Sequence, residues 1–242
     1  MPIGQFELEF QKVNTKEERF PVVIVAAGNS SRMLGTDKQM TDLLGIPVLA
    51  RTLLAFEQNE AISEIVVVTQ EEKIAFVNFI KEKYAINKLS SIVLGGKCRE
   101  ESVKNGLSVL KAKHKKALVH DGARPLVSDA VISRVALSLA EEKCVVCGVK
   151  IKDTIKRINS DGFADETLNR NNLIAVQTPQ GVDINRFFSA ADEKDLEKFT
   201  DDASLLEAVG IKVKTVDGDY RNIKITTPED ICLAEFYLGE EY

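Results

Sequence analysis

At 242 residues, 44% of them hydrophobic, the chain can bury a sizeable core as one large domain or two small ones, which excludes disorder as its default state. Its 32 basic residues against 37 acidic ones leave a formal charge of -5, so the whole chain has no pull on nucleic acid or anionic lipid, and any anion site must be local. The first twenty or so residues lack the features of a secretory signal, no segment reaches the roughly 18 consecutive apolar residues of a membrane span, and Cys98, Cys144, Cys147 and Cys232 are few and scattered; a cytoplasmic protein with reduced thiols is expected.

In chain order, PVVIVAA (21–27) is a β-branched apolar run bounded by Gly28, the pattern of a strand buried on both faces. IPVLARTLLAFEQN (46–59) spaces its apolar residues at helical intervals, with Pro47 expected in the first turn. EIVVVT (64–69) predicts a strand, EEKIAFVNFIKEKY (71–84) a helix, SIVLGG (91–96) a strand, and REESVKNGLSVLKAK (99–113) a helix. KALVHDG (116–122) predicts a strand and SDAVISRVALSLAEE (128–142) a helix. This alternation argues for an α/β fold, a mostly parallel twisted sheet flanked by helices, with ligands beyond the carboxyl ends of the strands. Four loops lie there: AAGNSSRM (26–33), TQEE (69–72), GGKCREES (95–102) and HDGARP (120–125). Cys144 and Cys147 have CxxC spacing but fall in the apolar run CVVCGVKI, which reads as two buried strand residues and not as a redox or zinc pair.

From about Val149 the pattern changes to two strand-like arms around Ser160-Asp161-Gly162, a protruding arm over about 150–178. Two helical segments near 183–209 follow, then a strand at KVKTV (212–216), the stretch NIKIT (222–226) and a closing helix begun by Thr227-Pro228. No linker or internal repeat divides the chain, so one domain spanning 1–242 and carrying an arm is the simplest account.

The chemistry concentrates in a few places. Ala26-Ala27-Gly28, followed by Arg32 and then Lys38, forms a small-residue loop after a buried strand, where backbone N–H groups can cradle phosphate oxygens and cations can neutralise them. Neither the P-loop pattern nor G-x-G-x-x-G is present. Asp121 ends a strand at this edge of the sheet, where its carboxylate offers the oxygen ligands that a hard, partly hydrated cation takes. His120 is read as a packed strand-end residue and not as a base. Asp217-Gly218-Asp219 spells the Asp-x-Asp of some glycosyltransferases, but late in the chain, and reads as a turn.

The first loop, His120-Asp121-Gly122-Ala123-Arg124-Pro125, Thr178-Pro179-Gln180 and Asn222-Ile223-Lys224-Ile225-Thr226 occur together in an order and spacing that resemble the 2-C-methyl-D-erythritol 4-phosphate cytidylyltransferases. The resemblance covers about residues 20–240 and implies a nucleotide-diphospho-sugar transferase, Rossmann-like fold. It also implies transfer of CMP from CTP to the sugar-alcohol phosphate with release of pyrophosphate, in isoprenoid precursor synthesis, with Mg2+ as cofactor. By this resemblance Arg32, Lys38, Arg170 and Lys224 are catalytic; Ala26, Ala27, Gly28, Gly96, Arg99, Ser102, Asp121 and Ala123 bind the nucleotide; and Asp121 also meets the metal. Arg124, Thr154, Arg170, Thr178, Thr200 and Lys224 bind the acceptor, and the enzymes are homodimers whose arm helps complete the partner's site. Ser30 replaces a glycine and Asp37 a proline of the family's usual first loop. A cytidylyltransferase using ribitol 5-phosphate or another polyol phosphate, a glycosyltransferase, and a nucleotide-binding protein without catalysis are the competing readings.

Overall fold

The computed structural model describes residues 18–28 and 39–239. The chain opens with β1 (Phe20–Val25), then a short antiparallel pair, β2 (Asp42–Leu43) and β3 (Ile46–Pro47), leading into α1 (Val48–Gln58). Pro47 therefore sits one residue before the helix in extended backbone (φ -56°, ψ 145°), not in the first turn as the sequence suggested. Alternation follows: β4 (Ile62–Thr69), a 3-10 turn at Glu71–Lys73, α2 (Ile74–Lys83), β5 (Leu89–Leu94), α3 (Arg99–Leu110), β6 (Lys116–Asp121), α4 (Asp129–Glu141) and β7 (Cys144–Lys150). Next come β8 (Ile155–Ile158) and β9 (Ala164–Leu168), then β10 (Ile174–Asp183), α5 (Ile184–Glu193), α6 (Asp202–Glu207), β11 (Lys214–Asp217) and α7 (Pro228–Gly239).

Seven strands form one sheet in the order β11-β7-β10-β6-β1-β4-β5. β1 pairs in parallel with β4 and β6, β4 with β5, and β7 with β11, whereas β10 runs antiparallel to both β6 and β7. The mostly parallel sheet is thus as expected, with one reversed strand inserted in the half that follows the arm.

Strand alternation distributes side chains to two cores. Val22 and Ile24 of β1 pack with α1, α2 and α4, while Val23 packs with α3, α5 and α6. That double burial is why β1 carries an unbroken apolar run; each such side chain contributes on the order of 1.5–3 kcal/mol on leaving water. Cys144 and Cys147 sit three apart on β7 and so point to opposite faces, one into each core. Both thiols are pushed up to about 12, foremost by burial, so they are inert core residues. α5 and α6 start at capping aspartates: Asp183 accepts from the Arg186 N–H at 3.0 Å and Asp201 from the Ser204 N–H at 3.0 Å.

β8 and β9 pair with each other as a two-stranded ribbon apart from the main sheet. Its turn is organised by Asn159, whose Oδ1 accepts from the N–H groups of Asp161 and Phe163, with Gly162 at φ +85° supplying the left-handed position. Ile158 and Phe163 stand exposed at the tip.

Candidate active site

The carboxyl ends of β1, β4, β5 and β6 deliver their loops to one cavity of about 530 Å³, within the range of small-molecule sites. Of the residues read from the sequence as nucleotide-side, Ala27, Gly28, Gly96, Arg99, Ser102, Asp121 and Ala123 are brought together in its lining. Ala26 is not: it is fully buried beneath the cavity, its N–H bonded to the Val68 carbonyl at 2.7 Å and its methyl packed in the core. Arg32 and Lys38 lie outside the described residues.

The β5–α3 loop is shaped by small residues and a hydroxyl. A Cβ on Gly95 would sit 2.3 Å from the Ala27 Cβ, so only glycine lets this loop lie against the first one. Ser102 Oγ accepts from the Gly96 N–H at 3.0 Å and donates to the Cys98 carbonyl at 2.9 Å. Ser102 is therefore buried and holds the loop's curve instead of facing solvent as a helix cap; the cap of α3 is Cys98, whose Sγ accepts from the Glu101 N–H.

A second cavity of about 240 Å³ adjoins the first, lined by Arg124, Thr178, Gln180, Thr200 and Asp201 among others. Arg99, Asp121 and Lys224 line both cavities and form the wall between them. Asp121 is the centre of that wall: Lys224 Nζ lies at 2.8 Å, Arg99 Nε at 3.4 Å and Arg124 Nε at 3.6 Å. Burial alone would push this carboxyl up, but Arg99, Lys224 and Arg124 hold it well below the usual carboxylate range, so it is ionised throughout any working pH. Arg99 is likewise held protonated against burial by Asp202 and Asp121.

His120, next to it on β6, is fully buried, with its ring centroid 4.8 Å from that of Phe56 and tilted 58° to it. Thr178 Oγ1 accepts from the Asp121 N–H at 3.1 Å, which leaves its hydroxyl hydrogen for His120 Nδ1 at 3.0 Å; the His120 Nε2–H then donates to the Arg124 carbonyl at 3.3 Å. Burial lowers His120 to about 3, so it is a neutral spacer that orients the β6 loop and not a base. Arg124 is also braced, its Nη1 donating to the Asn222 carbonyl at 2.7 Å, while Asn222 Nδ2 donates to the Thr178 carbonyl at 2.8 Å. These bonds explain why the NIKIT stretch, which forms no strand, still presents Lys224 at a fixed place.

The structure does not bring Thr154 and Arg170 to these cavities. Both are exposed beside the ribbon, and Arg170 Nη1 donates to the Lys152 carbonyl. Asp217-Gly218-Asp219 is a strand end and turn, as read, and lines neither cavity; the Asp219 backbone is held by the Gln177 amide. Sequence reading missed Asp202, which is fully buried and grips Arg99 with both oxygens, at 3.1 Å and 2.9 Å. It also missed Gln180 as a fastening, its amide bonded to the Asp201 carboxylate and the Ala203 N–H.

A doubly wound sheet with a cavity at its strand ends, adjoining a smaller one across a wall of Arg99, Asp121 and Lys224, defines an α/β protein of the class that binds ligands beyond the carboxyl ends of its strands. Residues 20–240 match the family of 2-C-methyl-D-erythritol 4-phosphate cytidylyltransferase. A relative of that name from Clostridium botulinum is 44% identical over 88% of this chain and 95% of its own length, and one from Halalkalibacterium halodurans is 41% identical over 92% and 98%. Among solved structures, the 4-diphosphocytidyl-2C-methyl-D-erythritol synthase of Anaerococcus prevotii superposes with a TM-score of 0.81 at 33% identity, covering 93% of this chain and 97% of that one. The Thermus thermophilus 2-C-methyl-D-erythritol 4-phosphate cytidylyltransferase gives 0.71 at 27% identity, covering 91% and 98%. The chain belongs to the 2-C-methyl-D-erythritol 4-phosphate cytidylyltransferase family.

Proposed function

We propose that this cytidylyltransferase moves CMP from CTP to 2-C-methyl-D-erythritol 4-phosphate, giving 4-diphosphocytidyl-2-C-methyl-D-erythritol and pyrophosphate for isoprenoid precursor synthesis. The observation that carries this reading, beside the family membership, is the wall of Arg99, Asp121 and Lys224 shared by a larger and a smaller cavity. The larger takes the nucleotide and the smaller the acceptor, so the reacting phosphorus lies at the wall.

An acceptor phosphate oxygen attacks the α-phosphorus; the bond from that phosphorus to the bridging oxygen breaks, and the electron pair leaves with pyrophosphate. The nucleophile is already an anion, so no protein base is required, and His120 is not placed to be one. Positioning and charge neutralisation supply the rate. Lys224 meets the acceptor phosphate, with Thr200, Thr178 and Arg124 around it; Gly28, Gly96 and Ala27 admit the nucleotide's backbone-facing atoms. Arg32 and Lys38 carry the triphosphate's charge in this reading.

The donor set fits magnesium: Asp121 offers one permanently ionised carboxylate beside the space for phosphates, and Mg2+ is commonly held by one or two carboxylates, substrate phosphates and waters. When bound, it would neutralise charge on the phosphates.

In the same reading the enzyme works as a homodimer in the cytoplasm. Exposed Ile158 and Phe163 on the ribbon, and Leu233 and Phe236 on α7, supply apolar surface for a second copy, and Thr154 and Arg170 then serve the partner's acceptor cavity. No helix among the described residues is long and apolar enough to cross a membrane, and all four cysteines are unpaired. The test is pyrophosphate release from CTP and Mg2+ with 2-C-methyl-D-erythritol 4-phosphate, beside ribitol 5-phosphate as acceptor and UTP and ATP as nucleotides. Release with CTP and the erythritol substrate alone is expected; release with ribitol 5-phosphate instead would reassign the acceptor, and silence throughout would remove the reading.

A further inference from the structure

Arg99 is tied down more completely than a ligand-binding arginine needs to be. Its Nε–H meets Asp121 Oδ1 at 3.4 Å, its Nη1 meets Asp202 Oδ1 at 3.1 Å and Glu100 Oε1 at 3.5 Å, and its Nη2 meets Asp202 Oδ2 at 2.9 Å. The two-point contact with Asp202 is a fork-on-fork pair, which fixes the plane of the guanidinium as well as its place. Asp202 itself is fully buried at the first residue of α6, immediately after Thr200 and Asp201 of the smaller cavity. α6 cannot drift, because the Gln180 amide on β10 donates to Asp201 Oδ2 at 2.8 Å and accepts from the Ala203 N–H at 3.1 Å. The orientation of Arg99, on the nucleotide side, is therefore set from the acceptor side of the wall.

We propose that Asp202 is a positioning residue of the transfer reaction: its carboxylate holds the Arg99 guanidinium in the wall between the two cavities, at the angle needed to serve the group that passes between them. Stability alone does not call for such a carboxylate, since a buried ion pair is commonly replaceable by apolar residues without loss. Without it, Arg99 retains only the longer contacts to Asp121 Oδ1 and Glu100 Oε1, at 3.4 Å and 3.5 Å, and the two-point hold on its guanidinium plane is lost. The loss falls mainly on the step in which the cytidylyl group is transferred at the wall, and less on nucleotide binding, which Arg99 shares with the rest of the β1 and β5 loops.

This inference rests on the reading under Proposed function, so wild-type protein is assayed alongside each variant. Asp202→Asn keeps the shape and removes the charge: kcat should fall about tenfold or more, with CTP affinity by calorimetry within about threefold of wild type. In an Arg99→Lys background, where the fork is already lost, the same change should add less than about twofold. Wild-type kcat in Asp202→Asn, or losses that simply multiply in the double variant, would overturn the proposal, as would a lowered melting temperature with kcat intact. If the Asn variant does not fold, Asp202→Glu carries the test: one methylene longer with the charge kept, it should lower kcat at least about threefold at an unchanged melting temperature, and wild-type kcat would again overturn the proposal. An inactive wild-type enzyme overturns both readings; an active one with indifferent variants overturns this one alone.

Discussion

His120 and Asp121 are neighbours on β6 and respond to burial in opposite ways. The carboxylate has Arg99, Lys224 and Arg124 to offset its desolvation and stays charged; for the imidazole, burial outweighs the Asp121 charge and the bonds to the Arg124 carbonyl and Thr178, and it stays neutral. Because His120 is lowered to about 3 when folded while an unfolded histidine titrates near 6.5, the unfolded chain takes up a proton below about pH 6.5 that the folded one refuses. Its contribution to stability is thus full above pH 6.5 and lost as pH falls, by about 2 kcal/mol between pH 7 and pH 5. Urea titrations at the two pH values should show that drop in the wild type and a smaller one in His120→Asn; equal drops would mean that His120 is charged in the fold. The carboxylate's folded value also lies below its unfolded one, there because cationic neighbours favour the charged form, so its contribution is likewise lost as pH falls, but only under about pH 4, outside this window. Lys224 is the residue whose loss should be felt in turnover: Lys224→Ala removes the 2.8 Å partner of Asp121 and a cation from the acceptor cavity, and kcat/KM for the acceptor should fall about 10²–10³-fold while the melting temperature changes little. Lys38→Ala should likewise abolish turnover and leave folding intact; near-normal rates would remove that lysine from the mechanism.

Among the elements, the β1 and β5 loops make the nucleotide cavity by touching each other. Gly95→Ala places a methyl 2.3 Å from the Ala27 Cβ, so one loop must retreat, at a cost of about 1–3 kcal/mol in stability. CTP affinity should drop about tenfold or more by calorimetry, and an unaltered affinity would show that the contact does not shape the site. This half of the molecule was legible in the sequence because β1, β4 and β6 are local apolar runs and the loops after β1, β5 and β6 carry Gly28, Gly95 and Gly122. β10 was harder: it pairs antiparallel between β6 and β7, and nothing in TPQGV reports which neighbours or which direction it will have. Pro47 read as a first-turn proline because the helical spacing begins at Ile46, whereas the short pairing with β2 holds Ile46 and Pro47 extended. The site divides the same way. Asp121 and the glycines announced themselves by position at strand ends, but Asp202 looked like the second acidic residue of a helix start, and its partner Arg99 lies 103 residues earlier in the chain. Spacing carries no trace of such a pair. The resemblance to a known family reached Arg99, Lys224 and Thr200, and stopped short of the residues that only hold them.

At the scale of the whole molecule, the single chain leaves two of its expected acceptor residues unused. Thr154 and Arg170 stand exposed beside the ribbon, while Lys224, Arg124 and Thr178 converge on the smaller cavity. A ribbon with exposed Ile158 and Phe163 at its tip is poorly explained as a free appendage, and a two-fold assembly would bury those side chains while carrying each Arg170 to the other copy's cavity. Such a shared site makes a prediction that a self-contained one does not. Arg170→Ala and Lys224→Ala homodimers should each be inactive, but a mixed dimer has one site in which Lys224 comes from the Arg170→Ala copy and Arg170 from the Lys224→Ala copy. That site is intact, and the other lacks both residues. Random assembly of equal amounts makes half the dimers mixed, each with one working site of two, so refolding or coexpressing the two variants together should restore about a quarter of the wild-type rate. If Arg170 served its own chain, no combination of these variants would contain an intact site, and the mixture would stay as inactive as its components.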